Sequence, residues 1–217
     1  MAIAFVTAAN NNGAAVDNLS ATISPANGNT LVVVVALNGT AQTVSTVQDN
    51  NNSTTFASAN AVNNTNRVEV WSARNVTGSP TSVKVTLSAS NLDWAMSVGE
   101  YSGVAVVGQN GTNSGNSADP TISLTTVDAN NWVVAGFCTT TPAATSKTGN
   151  LRDATASPAV VADALNDNTV AAPSSVTNAI THALAVWAAV ALELRTIYLA
   201  PVQQFMRSGG MIGRVIA

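Results

Sequence analysis

Apolar residues recur at every second position through much of this 217-residue chain, and clusters of Asn, Gly, Ser and Pro cut the alternation into short runs. That pattern predicts many short β-strands joined by tight connections. In RVEVWSAR (67–74), Val68 and Val70 share one face while Glu69 and Trp71 share the other. In TSVKVTLS (81–88), Val83, Val85 and Leu87 alternate with Lys84 and Thr86. With NVTGSP between them as a turn, these two segments are expected to form an antiparallel hairpin. Keeping its valines on one face would place Glu69 opposite Lys84 or Thr86 on the outer surface.

Other segments are apolar on both faces. TLVVVVAL (30–37) is too short for a typical helix and rich in β-branched residues, which predicts a strand in the middle of a sheet. LDWAMSVGEY (92–101) points Leu92, Trp94, Met96 and Val98 one way and the small Ala95, Ser97 and Gly99 the other, and NWVVAGFCTT (131–140) behaves similarly. Further strands are expected near residues 3–7, 19–24, 42–48, 104–108, 120–126, 159–164 and 175–180. HALAVWAAVALELR (182–195) has enough alanine for a helix. Its alternation, with Leu184, Val186, Ala188, Val190, Leu192 and Leu194 on one side, favours a long central strand.

The fold expected from these runs is all-β: an antiparallel two-sheet β-sandwich, jelly-roll-like, occupying residues 1–195 as one domain. Residues 196–217 differ in character and are expected to form an extended C-terminal apolar arm. Tyr198, Leu199, Phe205, Met206, Met211 and Ile212 are its apolar anchors, and Arg207 and Arg214 would meet carboxylates or carbonyls on a partner. Docking on another subunit and wrapping on the parent sandwich are both open.

Only 9% of residues are charged, against 46% apolar, so uncharged amides and hydroxyls must solvate the surface. A weak long-range field suits a packed assembly better than electrostatic capture of a partner. The net charge of -3 and the two lysines, Lys84 and Lys147, leave no basic stripe for nucleic acid. The opening MAIAFVTAANNNG has no cationic stretch or apolar run of signal-peptide type, and no segment approaches the roughly 20 apolar residues that span a bilayer. Folding in a host cytoplasm is the expectation, without a membrane. Cys138 is the one cysteine, so no internal disulfide is available. Acceptor triplets at Asn18, Asn38, Asn51, Asn52, Asn63, Asn75 and Asn110 are what an Asn-, Ser- and Thr-rich composition produces by chance, and glycosylation is not expected.

Searching for chemistry yields little. His182 is the one histidine, which gives a hydrolytic triad no obvious base. No nucleophile elbow, zinc-protease helix, phosphate loop or dinucleotide motif occurs. No catalytic residues, cofactor or metal are therefore assigned, and the chain is expected not to be an enzyme. Glu69, Glu100 and Glu193 are the only glutamates. Glu100 beside Tyr101 is expected to accept hydrogen bonds from turn amides or to pair with an arginine. The oxygen-rich stretches at 49–52 and 163–168 supply hard ligands but lack the spacing of a twelve-residue calcium loop. Trp71 and Trp132 would serve an alternative reading, a carbohydrate-binding module or tail-fibre adhesin, if their rings face solvent.

Taken in succession, GNTLVVVVAL (28–37), VEVWSARNVTGSPTSVKVTLS (68–88), WAMSVGEYSGV (94–104) and AVWAAVALEL (185–194) resemble a β-sandwich module of bacteriophage virion proteins and bacterial surface proteins. The resemblance covers most of residues 28–195. It implies a two-sheet sandwich serving as a particle building block, a decoration protein or an adhesive fibre domain, and of these a non-enzymatic structural protein of a virion, of the capsid decoration or cement kind, is the expectation. Such a protein forms a homo-oligomer and attaches to the major capsid protein or another virion protein. It carries over no active-site residues.

Overall fold

Alternating side chains do build strands throughout. A computed structural model describes residues 2–89, 93–140, 145–156, 162–169 and 171–196, and every regular element in it is a β-strand. The first eight are β1 (Ala4–Gly13), β2 (Asn18–Thr22), β3 (Thr30–Leu37), β4 (Val44–Asp49), β5 (Ala57–Asn64), β6 (Asn66–Ala73), β7 (Ser82–Leu87) and β8 (Trp94–Ser102). The next eight are β9 (Val106–Ser117), β10 (Thr121–Thr125), β11 (Trp132–Thr139), β12 (Thr145–Thr148), β13 (Asn150–Ala156), β14 (Ala162–Thr169), β15 (Ser175–Thr181) and β16 (Ala185–Arg195).

The expected antiparallel sandwich forms with four sheets instead of two. Strands β1 to β8 make a five-stranded sheet, β1-β8-β3-β6-β5, and a three-stranded sheet, β2-β7-β4. Strands β9 to β16 make β9-β16-β11-β14-β13 and β10-β15-β12. Adding eight to each strand number converts the first pair of sheets into the second, so the chain contains the same pairing order twice. The sequence carries a faint echo of this duplication. Pro80, Ser82, Val83, Trp94, Ala95 and Glu100 reappear, without a gap, as Pro173, Ser175, Val176, Trp187, Ala188 and Glu193.

Three apolar clusters order the sheets into four layers. Leu31, Val33, Val35 and Leu37 of β3 pack with Val83 and Val85 of β7 between the first half's two sheets. Phe137 of β11 and Trp187 of β16 pack with Ile122 and Ile180 between the second half's two sheets. The opposite face of β3, Val32, Val34 and Ala36, joins Val68 and Val70 of β6 against Val134, Leu165, Val190 and Leu192. The two five-stranded sheets thus stack on each other as the inner layers. This explains why β3, β8, β11 and β16 are apolar on both faces: each interior strand has a sheet above and another below.

Small residues let the inner sheets approach. A Cβ on Gly136 would stand 2.5 Å from a Val34 methyl and 3.0 Å from a Val70 methyl. On the facing sheet, a Cβ on Gly99 would stand 2.6 Å from a Leu165 methyl.

Several expectations need correction. β6 and β7 do not form a hairpin: β6 pairs with β3 and β5, whereas β7 pairs with β2 and β4 in the other sheet. NVTGSP is a crossing between layers, because a turn-forming sequence reverses the chain without specifying the sheet it enters. Glu69 consequently faces inward, 3% exposed, and pairs with Arg67 rather than Lys84. Within 182–195 the structure has strand and not helix, from Ala185 to Arg195, with both faces covered from Ala188 to Leu194; Leu184 precedes the strand and is 73% exposed. Residues 163–168 lie within β14, not in a loop. Strands β5, β12 and β13 were not expected, and β9 runs well beyond 104–108. Leu92, residues 159–161 and the anchors of the arm from Tyr198 to Arg214 lie outside the described residues.

Candidate functional site

The seam between the two inner sheets holds the most concentrated polar chemistry. Asp167 of β14 is fully buried and accepts hydrogen bonds from Arg152 Nε (2.7 Å) and the Tyr101 hydroxyl (3.2 Å). The Arg152 guanidinium also lies 4.5 Å from the centre of the Phe5 ring and 5.8 Å from that of Trp132. Phe5 and Trp132 flank Tyr101 edge-on, at 5.7 and 6.2 Å. Tyr101 and Phe5 come from the first half and the other three residues from the second, so the cluster stitches the halves together. Burial pushes the Asp167 carboxyl above its ordinary range despite the opposing pull of Arg152. Burial, reinforced by Asp167, pushes the Tyr101 hydroxyl well above its own. These groups clamp the seam; the arginine has its carboxylate and aromatic partners within the protein.

The buried glutamates have the same occupation. Glu100, 2% exposed, accepts from the Ala26 amide (2.9 Å) and from Asn29 Nδ2 (2.6 Å), as expected for a carboxylate at a sheet end. Its counterpart Glu193 is fully buried and accepts from the Val127 amide (2.9 Å), Asn131 Nδ2 (2.7 Å) and the Gln109 amide (3.3 Å). Each glutamate therefore fastens the loop leading into the middle strand of its inner sheet, β3 or β11, through an Asn next to that strand's start. Glu69 accepts from Arg67 Nε (2.6 Å), the Val44 amide (3.0 Å) and Trp71 Nε1 (3.3 Å).

The residues singled out in the sequence do not converge. Trp71 packs against the first half's own core and is tied to Glu69, whereas Trp132 packs at the seam. Both are partly buried, on different clusters, and make no shared platform for a sugar ring. His182 is 6% exposed, and burial lowers its pKa. Asp49 folds the 49–53 stretch through bonds from the Asn51 and Ser53 amides (2.8 and 3.0 Å). Burial raises the Asp49 carboxyl, but those bonds and one from Thr54 outweigh it and hold it below the ordinary value. Among the described residues no three His, Cys, Asp or Glu side chains cluster as a metal centre requires. Among the same residues no helix is long and apolar enough to cross a membrane.

A polar cleft of about 380 Å³ opens where β5, the edge of one inner sheet, lies beside β9, the edge of the other. Two irregularities create it. The register of β5 slips between Ser58 and Asn60, leaving Ala59 as an extra residue opposite β6. The register of β9 slips where Gly108 and Gln109 oppose Glu193. Bulges bend a strand and re-aim its side chains, and these two occur face to face. Ser58, Ser72, Arg74 and Asn110 supply polar lining, with Ala59 and Val107 as apolar lining over the buried Leu192. The halves are tied across the cleft by Asn60 Nδ2 donating to Asn110 Oδ1 (2.8 Å) and by Arg74 Nη1 donating to the Ala105 carbonyl. Neither Arg74 nor the bulges were read from the sequence. The Gly108 position, where a Cβ would meet Glu193, is the only local signal that a bulge is required there.

No protein-family model matches the chain, and no curated protein and no solved structure is similar to it.

Proposed function

We propose that this chain is a non-enzymatic structural protein of a virion, a bacteriophage capsid decoration or cement protein that works by contact. The observation that carries this reading is the four-layer stack itself. Two sandwiches are fused across an apolar seam, and the buried carboxylates Glu69, Glu100, Glu193 and Asp167 are spent on the protein's own arginines and loop amides. Such a body is rigid and has an exterior of amides and hydroxyls with few charges, which suits dense packing among like subunits. Each half is read as a jelly-roll variant, because two nested Greek keys interleave strands in the order β1-β8-β3-β6 against β2-β7-β4. The departure is β5, which joins β6 in the larger sheet.

On this reading the apolar segment after Arg195 docks on a neighbour and makes a homo-oligomer, which attaches to the major capsid or another virion protein. The competing sugar-binding role for Trp71 and Trp132 has less support, since both rings are engaged internally. The test is the native mass of the full chain beside a variant ending at Arg195. An oligomer that becomes a folded monomer on truncation supports the proposal, as does detection of the chain in purified particles. Monomers in both cases, or a chain that stays behind when particles are purified, would overturn it.

A further inference from the structure

We infer that the cleft between β5 and β9 is a binding site for a small acidic saccharide, one bearing a carboxylate on a hydroxyl-rich ring. The inference is independent of any role in a particle. It starts from how the site is built: both halves contribute a bulged edge at the same level, and an inter-half hydrogen bond ties the edges on either side. Clefts at the junction of two packed units, of this size and already formed, are where small ligands are commonly held.

The lining specifies the ligand class. Among the described residues that line the cleft Arg74 is the one that carries a charge; the Glu193 carboxylate lies behind Gly108 but is fully buried and held by its own amide donors. A guanidinium has five N–H donors, and the bond to the Ala105 carbonyl uses one of them. The remainder match the two oxygens of a carboxylate in a bidentate pair. Ser58, Ser72 and Asn110 add hydroxyl and amide groups that can both donate and accept, which is what ring hydroxyls require. Ala59 and Val107, both half-buried, give an aliphatic surface for the C–H face of a ring. Among the described residues no aromatic side chain lines the cleft, which disfavours a nucleobase that would need stacking. The single arginine disfavours a polyphosphate.

The test is calorimetric titration of the full chain with glucuronic acid and with N-acetylneuraminic acid, using galactose and N-acetylglucosamine as uncharged controls. At least one acidic sugar is expected to bind saturably, and the controls at least about tenfold more weakly. Arg74→Gln is expected to remove that preference. Because Arg74 also bonds Ala105, Ser58→Trp provides a second variant: Ser58 is exposed on an edge strand, and the indole would fill the cleft without touching a core. Ser58→Trp is expected to abolish binding while leaving the unfolding midpoint unchanged. Absence of binding by both acidic sugars, equal binding of the uncharged ones, or binding that survives Ser58→Trp would each overturn the inference. Oligomeric state is read separately, so failure here leaves the assembly role standing.

Discussion

Replacing Gly136 with alanine probes the stacking of the two halves at its tightest point. The added methyl would lie 2.5 and 2.8 Å from the two methyls of Val34 and 3.0 Å from one of Val70. Both valines are fully buried on interior strands, and β-branching restricts the χ1 rotations by which they could give way. Overpacking of this kind costs about 1–3 kcal/mol, offset by the roughly 0.5–1 kcal/mol that Ala gains over Gly in a strand. The net expectation is a loss of about 0–2.5 kcal/mol. Val34→Ala alone opens a cavity and should cost about 2–3 kcal/mol. Combined, the new methyl occupies the vacated space, so the two changes should couple favourably by about 1–2 kcal/mol. Urea unfolding of the four proteins, with constant slope, measures the cycle. Gly111→Ala in β9 is the control: its Cβ meets only a Leu124 methyl at 3.3 Å, which offsets part of the same strand gain, so no loss of stability is expected. Additivity at positions 34 and 136 would refute face-to-face stacking.

Glu193→Gln should cost about 2–3 kcal/mol in urea unfolding, because a charged acceptor of three N–H groups becomes an amide with one oxygen, and Glu100→Gln should cost less, having two donors. For Asp167, whose native pKa is raised, the folded chain binds the proton more tightly than the unfolded one. Stability should therefore fall as pH rises from the ordinary carboxylate value through the raised one and then level off. Asp49 acts in the opposite sense, its contribution being present above the unfolded value and lost as pH falls through the lowered one. Asp167→Asn should remove the first limb and keep the second, as read from urea midpoints across about pH 3 to pH 7. An unchanged profile would contradict the assignment. Cys138 is buried at the seam, so a thiol reagent should label it no faster than the protein unfolds, and rapid labelling of the native chain would contradict the packing.

Strand character was legible wherever burial imposes alternation. The interior strands β3, β8, β11 and β16 announce themselves by apolar side chains on both faces, and alternation separates the alanine-rich β16 from a helix. Edge strands β5, β12 and β13 were illegible, because ASANAVNN alternates only small alanines with polar residues, and TSKT and NLRDATA carry too few apolar side chains to mark a buried face. Their positions are fixed by pairing to β6, β15 and β14, a tertiary effect. The number of layers was hidden for another reason. A strand buried on both faces signals only that something covers each face, whether a loop, a helix or a second sandwich. The signal that would have resolved it is the spaced recurrence of Pro, Ser-Val, Trp-Ala and Glu between 80–100 and 173–193. The seam cluster and the cleft were beyond reach, since Arg152, Asp167 and Tyr101, like Arg74 and Asn110, meet only through that second level of stacking.

Native-state hydrogen exchange, resolved by strand, tests the four-layer stack most directly. Amides of β3 and β6 in one half and of β11 and β16 in the other are expected to be the slowest in the molecule and to share one opening free energy, because the seam they form breaks only when both halves unfold. Different limiting values for the two halves, or inner strands that exchange as readily as β2, β4, β10 and β12, would contradict the stack.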